Sequence, residues 1–377
     1  MNEYQKVVRG RGSLSRLPEM MEKLGITKPM IVGMNPLTGI VMKKNPALLT
    51  APVFSDFHSN PDLSDTKAGA DLFLREQCDG LISIGGGSSM DTAKAVKAQL
   101  NARNEDDLVN SRISGNISCK HIAVPGTAGT GSEATQFAVV YVNEKKVSVN
   151  HAILKPEGII LDSELLDSLP VYHKKSCALD ALAQGIESYW SKDANDDSKV
   201  HAYLAIIGVL DNLKAYLSGD SHAADEMLDA SYQSGKAIQM TRTTAAHAMS
   251  YMLTKKMGLA HGHACMLTLP VLWEMMQEKE EMKDTLNDLT SKMRLGDLRM
   301  VPKLLKGILY DLEMEIPEVP EETILEELAD SVNTERLNNH PVKLAREDIV
   351  RAYRNAMTPL CENEKQACID IWRYYGR

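Results

Sequence analysis

Through the first 170 or so residues, short apolar runs stop at glycine, proline or aspartate and give way to segments with helical spacing. The runs are PMIVG (29–33), GLISIG (80–85), HIAVPG (121–126) and GIILD (158–162). Segments such as DTKAGADLFLREQ and SMDTAKAVKAQL lie between them. Strands alternating with helices predict a Rossmann-like, doubly wound and mainly parallel sheet. FAVVYVNEKKVSVNHAI (137–153) departs from this rhythm and reads as two strands around a turn at Asn143–Glu144, a hairpin attached to that sheet. After Pro170 the strand signals vanish, and amphipathic patterns such as SKVHAYLAIIGVLDNLKAYL and ETILEELADSV take over. A chain of 377 residues is too long for one ordinary core. The expectation is an α/β domain over 1–170 and an all-α domain over 171–377.

Composition narrows the function classes. With 44% hydrophobic and 25% charged residues the chain has a globular balance. A net charge of −9 argues against general affinity for nucleic acid or anionic membrane, while leaving room for a local basic pocket. No apolar run reaches the roughly 18 residues of a membrane span, and MNEYQKVVRGRGSLSRL lacks the apolar core of a signal peptide. The six cysteines are scattered, and the close pair Cys361 and Cys368 lacks CxxC spacing. Reduced thiols in a cytoplasmic protein are the expectation.

ISIGGGSSMDTAKAV (82–96) runs from an apolar strand through three glycines into a helix that starts near Ser88. Gly85, Gly86 and Gly87 let backbone N–H groups approach an anion without Cβ interference, and the helix start adds its positive dipole end. The spacing is neither GxGxxG nor a Walker loop. In VPGTAGTGSEAT (124–135), glycines alternate with Thr127, Thr130, Ser132 and Thr135. Either loop alone is also compatible with an ordinary turn. Two of them after neighbouring strands lie at the carboxyl edge of one sheet, where open α/β folds bind nucleotides.

A different chemistry appears in the second half. ALDALAQGIESYW (178–190) reads as a helix with Asp180 and Gln184 one turn apart, which either grip one ion or face solvent. In TRTTAAHAMSYMLTKKMGLAHGHACMLTLP (241–270), His247 sits in a helical pattern and His261 follows 14 residues later in an AHGHA turn. One carboxylate with imidazoles suits Zn²⁺ or Fe²⁺. Spacing alone leaves open whether these residues converge.

Taken in order, GGGSSMDTAKA, GTAGTGSEAT, ALDALAQGIESY, HAMSY and AHGHA resemble the motifs of the iron-containing (group III) alcohol dehydrogenases over nearly the whole chain. The resemblance implies a nucleotide-binding α/β domain, a helical metal-binding domain like that of the dehydroquinate synthases, and NAD(P)-dependent interconversion of alcohol and aldehyde in the cleft between them. It assigns Asp180, His247 and His261 to a divalent ion, Fe or Zn. Gln184 stands where the family usually has a fourth histidine ligand and is expected to bind the ion through its carbonyl oxygen as a weaker, neutral ligand, and Tyr251 replaces the second histidine of HAxxH. DALAQGIESYWS with the RTTA segment before His247 looks more narrowly like the phosphonoacetaldehyde reductase branch.

That resemblance also supplies the remaining roles. Gly86, Gly87, Ser88 and Asp91, with Thr127, Thr130, Ser132 and Lys155, are expected to bind NADH or NADPH. Gly33–Met34–Asn35 ends its strand without the acid that holds an adenosine ribose in many relatives, which leaves NADPH admissible. Arg242, Thr243 and Lys255 are expected to bind a phosphonate, Arg242 as a cation beside a small, apolar helical face. Tyr251 and His263 are the candidate proton relays, His263 with a structural role as its alternative. The expected reaction is reduction of a small anionic aldehyde, with phosphonoacetaldehyde foremost, by a homodimer or larger homo-oligomer. A general short-chain aldehyde or diol dehydrogenase, a metal-dependent lyase of the dehydroquinate synthase type, and a metal-free nucleotide-binding scaffold are the alternatives.

Overall fold

The computed structural model describes residues 5–58, 61–142, 145–332 and 334–375. It divides into two compact units. The first comprises Met1–Leu169 with Ser218–Gly235, and the second Pro170–Leu217 with Lys236–Arg377. The change of character near residue 170 thus coincides with a unit boundary, but the chain returns to the first unit once more than expected.

In the first unit the strands are β1 (Lys6–Arg9), β2 (Pro29–Gly33), β3 (Val53–Phe54), β4 (Gly80–Gly85), β5 (Lys120–Pro125), β6 (Phe137–Val142), β7 (Lys145–Asn150) and β8 (Gly158–Leu161). Six of them form one parallel sheet in the order β1-β8-β5-β4-β2-β3. The four apolar runs are its inner strands. Every residue of β2 and β4 is buried, because helices cover both faces. On one face Ile31, Ile82, Ile84, Ile122 and Val124 pack with Leu17 and Met20 of α1 (Leu17–Leu24) and Val41 of α2 (Leu37–Lys44). The alternate residues Met30, Val32 and Leu81 meet Phe73 of α3 (Leu63–Arg75) and Ala93 and Val96 of α4 (Gly87–Asn101). Burying one such side chain is worth about 1.5–3 kcal/mol. A capping box starts α3: Asp62 accepts from the Asp65 N–H and Asp65 from the Asp62 N–H, at 3.0 and 2.9 Å.

The expected hairpin exists, but it does not join the large sheet. β6 and β7 form a separate antiparallel two-stranded sheet, with one isolated bridge from Tyr141 to Asp62, and their turn at Asn143–Glu144 lies outside the described residues. Ala138, Val140 and Val149 instead cover Ala95 and Ala98 of α4. The alternating pattern of β6 gives it one apolar face, which a helix can accept as well as a sheet edge can. After α5 (Glu105–Val109) the helical segments among the described residues are only short turns until a long helix begins at Val171.

The second unit is helical throughout its described residues, beginning with α6 (Val171–Trp190) and α7 (Asp196–Leu217). Helix α8 (Ser221–Thr241) is shared between the units, and α9 (Ala245–Met257) and α10 (His261–Gln277) follow. Small side chains along α6 bring its neighbours close. Gly262 abuts it so tightly that a Cβ there would lie 2.0 Å from the Ser176 carbonyl oxygen and 2.7 Å from Asp180 Cβ. Any larger residue would push the start of α10 away from Asp180.

Candidate functional site

Helix α6 presents Asp180, Gln184 and Glu187 at i, i+4 and i+7, so all three point to one side. All are buried. His247 stands in the first turn of α9. His261 is the first residue of α10 rather than part of a turn, since Ala260 is the cap and the helix starts immediately after it. Cys265 lies one turn further along α10, on the face of His261.

These helices bring four donor atoms together: those of Asp180, His247, His261 and Cys265 all lie within 4.8 Å of one another. Asp180 Oδ1 is 3.2 Å from His247 Nε2 and 3.8 Å from His261 Nε2, and Cys265 Sγ is 3.9 Å from His261 Nε2. The imidazole rings meet edge to face at 5.2 Å. Gln184 hydrogen-bonds the Asp180 side chain. A carboxylate can only accept, so the Gln184 amide donates, and its position beside Asp180 makes it a partner of the carboxylate.

Outer contacts aim the rings. Glu187 Oε1 accepts from the Thr244 N–H, the Thr244 hydroxyl and the Ala246 N–H at 3.1, 2.6 and 2.8 Å, capping α9. Its Oε2 pairs with His247 Nδ1. That contact makes Nδ1 a donor and leaves Nε2 facing Asp180, to whose Oδ1 the protonated ring also donates; against burial, Cys265, Glu187 and Asp180 raise the ring's pKa. The Ser250 hydroxyl donates to the His247 carbonyl at 2.9 Å, so at 3.3 Å from His261 Nδ1 its oxygen accepts and directs His261 Nε2 inward in the same way. Neither Glu187 nor Cys265 was singled out in the sequence. The i, i+4 spacing of Cys265 from His261 and the i, i+7 spacing of Glu187 from Asp180 were the available signals.

Charge is balanced within this pocket. Burial works against ionisation of Asp180, yet His261, His247 and the Gln184 hydrogen bond together hold its carboxyl below the usual range. Burial likewise opposes the Cys265 thiolate, but the two imidazoles draw the thiol down to about 7. A set of one carboxylate, two oriented imidazoles and an acidified thiol suits a borderline divalent cation such as Zn²⁺ or Fe²⁺.

The other expected site residues are distributed unevenly. Half-buried Tyr251 stacks on the His261 ring, with centroids 6.1 Å apart and planes 4° from parallel. His263 points elsewhere: Nε2 donates to the Glu315 carbonyl at 2.8 Å and Nδ1 accepts from the Tyr172 hydroxyl at 3.0 Å. Burial lowers its pKa, and its two nitrogens join α10 to Tyr172 of α6 and to the chain at Glu315. Arg242 is not on a helical face but in the link between α8 and α9, with a left-handed φ of 62°. Buried Thr243 accepts from Arg336 Nη1 at 2.5 Å, and its carbonyl accepts from Asn339 Nδ2 at 3.2 Å, so its hydroxyl is a structural tie. Lys255 is exposed in the last turn of α9, and no contact joins it to the four-donor cluster among the described residues.

In the first unit, the glycine loops face one another. β4 and β5 run in register to Gly85 and Pro125, and the Gly126 N–H donates to the Gly85 carbonyl at 2.8 Å. A Cβ on Gly86 would lie 3.3 Å from Thr127 Cγ2, and one on Gly87 would lie 3.2 Å from Thr130 Cγ2. Gly86 is the N-terminal cap of α4 and leaves the first N–H groups of that helix without a side-chain cap. Bare backbone, two threonines and a helix start suit a phosphate group. Ser88, in the first turn of α4, accepts at its carbonyl from the Thr92 hydroxyl at 2.8 Å. Lys155 is half-buried at the end of a short helical turn, Ala152–Leu154. Asn35 takes the Thr38 hydroxyl at 3.0 Å where an acid was missed.

Asp91 and Ser132, expected at the cofactor, instead enclose Lys94. The Ser132 hydroxyl donates to Asp91 Oδ1 at 3.0 Å, and Asp91 Oδ2 accepts from the Val139 N–H at 3.1 Å. Lys94 Nζ lies within 3.0 Å of the Ser132 carbonyl and hydroxyl, the Thr135 hydroxyl and the Phe137 carbonyl. Burial lowers its pKa to about 8, against the pull of Asp91 and Glu133. These polar groups pin the second loop to α4.

Two family profiles match the chain: iron-containing alcohol dehydrogenase over residues 5–163, and the C-terminal region of the Fe-containing alcohol dehydrogenase family over 175–357. Phosphonoacetaldehyde reductase of Streptomyces viridochromogenes is 34% identical over 225 residues, 56% of this chain and 57% of that protein. This chain therefore matches little more than half the length of that relative. NAD-dependent methanol dehydrogenase of Bacillus methanolicus is 33% identical over 276 residues, 69% of this chain and 71% of its own. Among solved structures, sulfoacetaldehyde reductase from Bifidobacterium kashiwanohense in complex with NAD⁺ superposes with a TM-score of 0.85 at 25% identity, covering 94% of this chain and 97% of that one.

Proposed function

The chain belongs to the iron-containing alcohol dehydrogenase family, and from that premise we propose that it reduces a small anionic aldehyde, phosphonoacetaldehyde foremost, to its alcohol with NADH or NADPH. The observation that carries the chemistry is the convergence of the Asp180, His247, His261 and Cys265 donor atoms. A divalent ion bound there supplies Lewis-acid polarisation of a carbonyl, and the dinucleotide supplies hydride.

The chain's own residues do the rest. Glu187 and Ser250 hold the two imidazoles with Nε2 turned to the ion. Gly86 and Gly87, with Thr127, Thr130 and the start of α4, receive the pyrophosphate. Tyr251, stacked on His261, brings a phenol beside the ligands, where it serves as the proton donor to the nascent alcohol. Arg242, half-buried a few residues before His247, is the cation assigned to the substrate's anionic group. The names of two relatives, one a phosphonoacetaldehyde and one a sulfoacetaldehyde reductase, support an aldehyde that carries an acidic head group.

A second reading, a general short-chain alcohol dehydrogenase, draws support from exposed Lys255, from Thr243 held by Arg336, and from the methanol dehydrogenase relative. Following NADPH and NADH oxidation with phosphonoacetaldehyde, sulfoacetaldehyde and neutral short aldehydes, with and without chelator, separates the two. The proposed function predicts chelator-sensitive turnover with kcat/KM highest for the anionic aldehydes, and an Arg242→Ala variant whose KM rises for those alone. Equal kcat/KM across the panel assigns the general enzyme, and turnover indifferent to chelation sinks the metal-dependent reading of both.

A further inference from the structure

Gln184 lies one turn beyond Asp180 on the ligand-bearing face of α6, but its amide is engaged with the Asp180 carboxylate. On the other side of the cluster, Cys265 is fully buried and one helical turn from His261. Its sulfur lies 3.9 Å from His261 Nε2 and within 4.8 Å of the Asp180 and His247 donor atoms. Bond lengths of roughly 2.0–2.3 Å at a tetrahedral ion put neighbouring donors about 3.3–3.6 Å apart. The measured separations of 3.2, 3.8 and 3.9 Å straddle that range, so small side-chain adjustments close the set. The other five cysteines are outside this group among the described residues.

We propose that Cys265 Sγ is the fourth protein ligand of the ion, which is then held by one carboxylate, two imidazoles and one thiolate, with Gln184 as a partner of Asp180 rather than a ligand. The proposal rests on the metal-dependent reading above and specifies its donor set. Its chemical consequence is selectivity. A thiolate is a soft donor, so the site favours Zn²⁺ or Co²⁺ over hard ions such as Mg²⁺ and Mn²⁺ more strongly than an oxygen-and-nitrogen set does.

Cobalt reports the ligand directly. Metal-stripped protein titrated with one equivalent of Co²⁺ is expected to show visible ligand-field bands of a four-coordinate ion together with a near-ultraviolet thiolate-to-cobalt charge-transfer band. Cys265→Ser is expected to keep the visible bands, shifted, and to lose the charge-transfer band. A His261→Ala control should lose both. Charge transfer that persists undiminished in Cys265→Ser, or visible bands without charge transfer in the unaltered protein, overturns Cys265 ligation and leaves the metal site standing. Protein that binds no Co²⁺ at all overturns the metal reading itself. X-ray absorption of the zinc-loaded, unsubstituted protein tests the same point without a variant: one sulfur scatterer is expected, and a shell of only oxygen and nitrogen refutes it.

Discussion

Glu187 has no exposed surface, yet it sits within hydrogen-bond reach of the Thr244 N–H and hydroxyl, the Ala246 N–H and His247 Nδ1. Burial opposes its charge, but the His247 imidazole and these donors hold its carboxyl below the usual range. It is therefore a positioning residue that sets a tautomer. Replacing Glu187 with Gln keeps the shape and removes the charge, and loss of such an outer partner typically costs 10–100-fold in metal affinity, so a fall of about that size is expected. Competition with a chromophoric chelator measures it, and an unaltered affinity would show that Glu187 serves only as a helix cap. His340 makes a separate prediction about acid. It is fully buried against Trp190, neither ring nitrogen has a hydrogen-bond partner, and burial depresses its pKa to about 4. Between the unfolded value near 6.5 and about 4, the unfolded chain binds a proton that the native state refuses. Stability from this group is therefore intact above that window and falls by something on the order of 3 kcal/mol as pH drops through it. Urea unfolding of the protein and of His340→Leu at pH 7.5 and pH 4.5 isolates the term. The variant should lose less stability between the two, and parallel losses would remove His340 from the acid response.

Elements decide where these residues stand, and they differ in how openly their sequences announce them. The inner strands are buried on both faces, so β2, β4, β5 and β8 appear as unbroken apolar runs. Edge strands carry no such mark. KVVR in β1 is exposed at both ends and β3 is two residues long, so neither stands out from its flanks. Helix α8 was hidden in another way. Its pattern is helical from end to end, but its first two-thirds, to Gly235, belongs with the sheet unit. Close approach of two backbones causes that, and periodicity does not encode it. A Cβ on Gly235 would lie 2.1 Å from the Gly131 carbonyl oxygen and 2.8 Å from Gly131 Cα. Gly131 is itself at φ 58° and leads into the Ser132–Ala134 turn that Lys94 pins to α4. Gly235→Ala must therefore displace the 126–131 loop, at a cost of about 1–3 kcal/mol in a packed setting. Urea unfolding should show that loss, and NADPH fluorescence titration should show weaker binding through the displaced Thr127 and Thr130. A variant with undiminished stability and affinity would mean that the loop tolerates the shift.

At the scale of the whole molecule, the chemistry is split between units that the chain builds in different ways. The candidate cofactor loops lie in a sheet unit whose strand ends place them side by side. For that reason Gly86, Gly87, Thr127 and Thr130 could be read from short local motifs. The candidate ion ligands come from α6, α9 and α10, so their meeting depends on helix packing and on Gly262. Asp180, His247 and His261 were legible through motif resemblance. Cys265 was not, because a cysteine in an apolar helix looks like core until its neighbours are known. The contacts of Asp91 and Ser132 were not legible either: Asp91 on α4 and Ser132 in the second loop bond each other around the buried Lys94, which no local motif announces. This division predicts two separable stabilisations. A ligand that binds only the native state adds RT ln(1 + [L]/Kd), about 4 kcal/mol at a thousandfold excess over Kd, to the openings that would release it. Zn²⁺ added to metal-stripped protein should therefore slow amide exchange in α6 around Asp180–Glu187, in the first turn of α9 and at the start of α10. NADPH added alone should slow exchange at 85–88 and 126–130. Hydrogen exchange read by mass spectrometry resolves the two patterns. Protection of the glycine loops by Zn²⁺ alone, or of the α9 start by NADPH alone, would show that the ion and the dinucleotide are coupled through a common opening and would sink the two-pattern expectation.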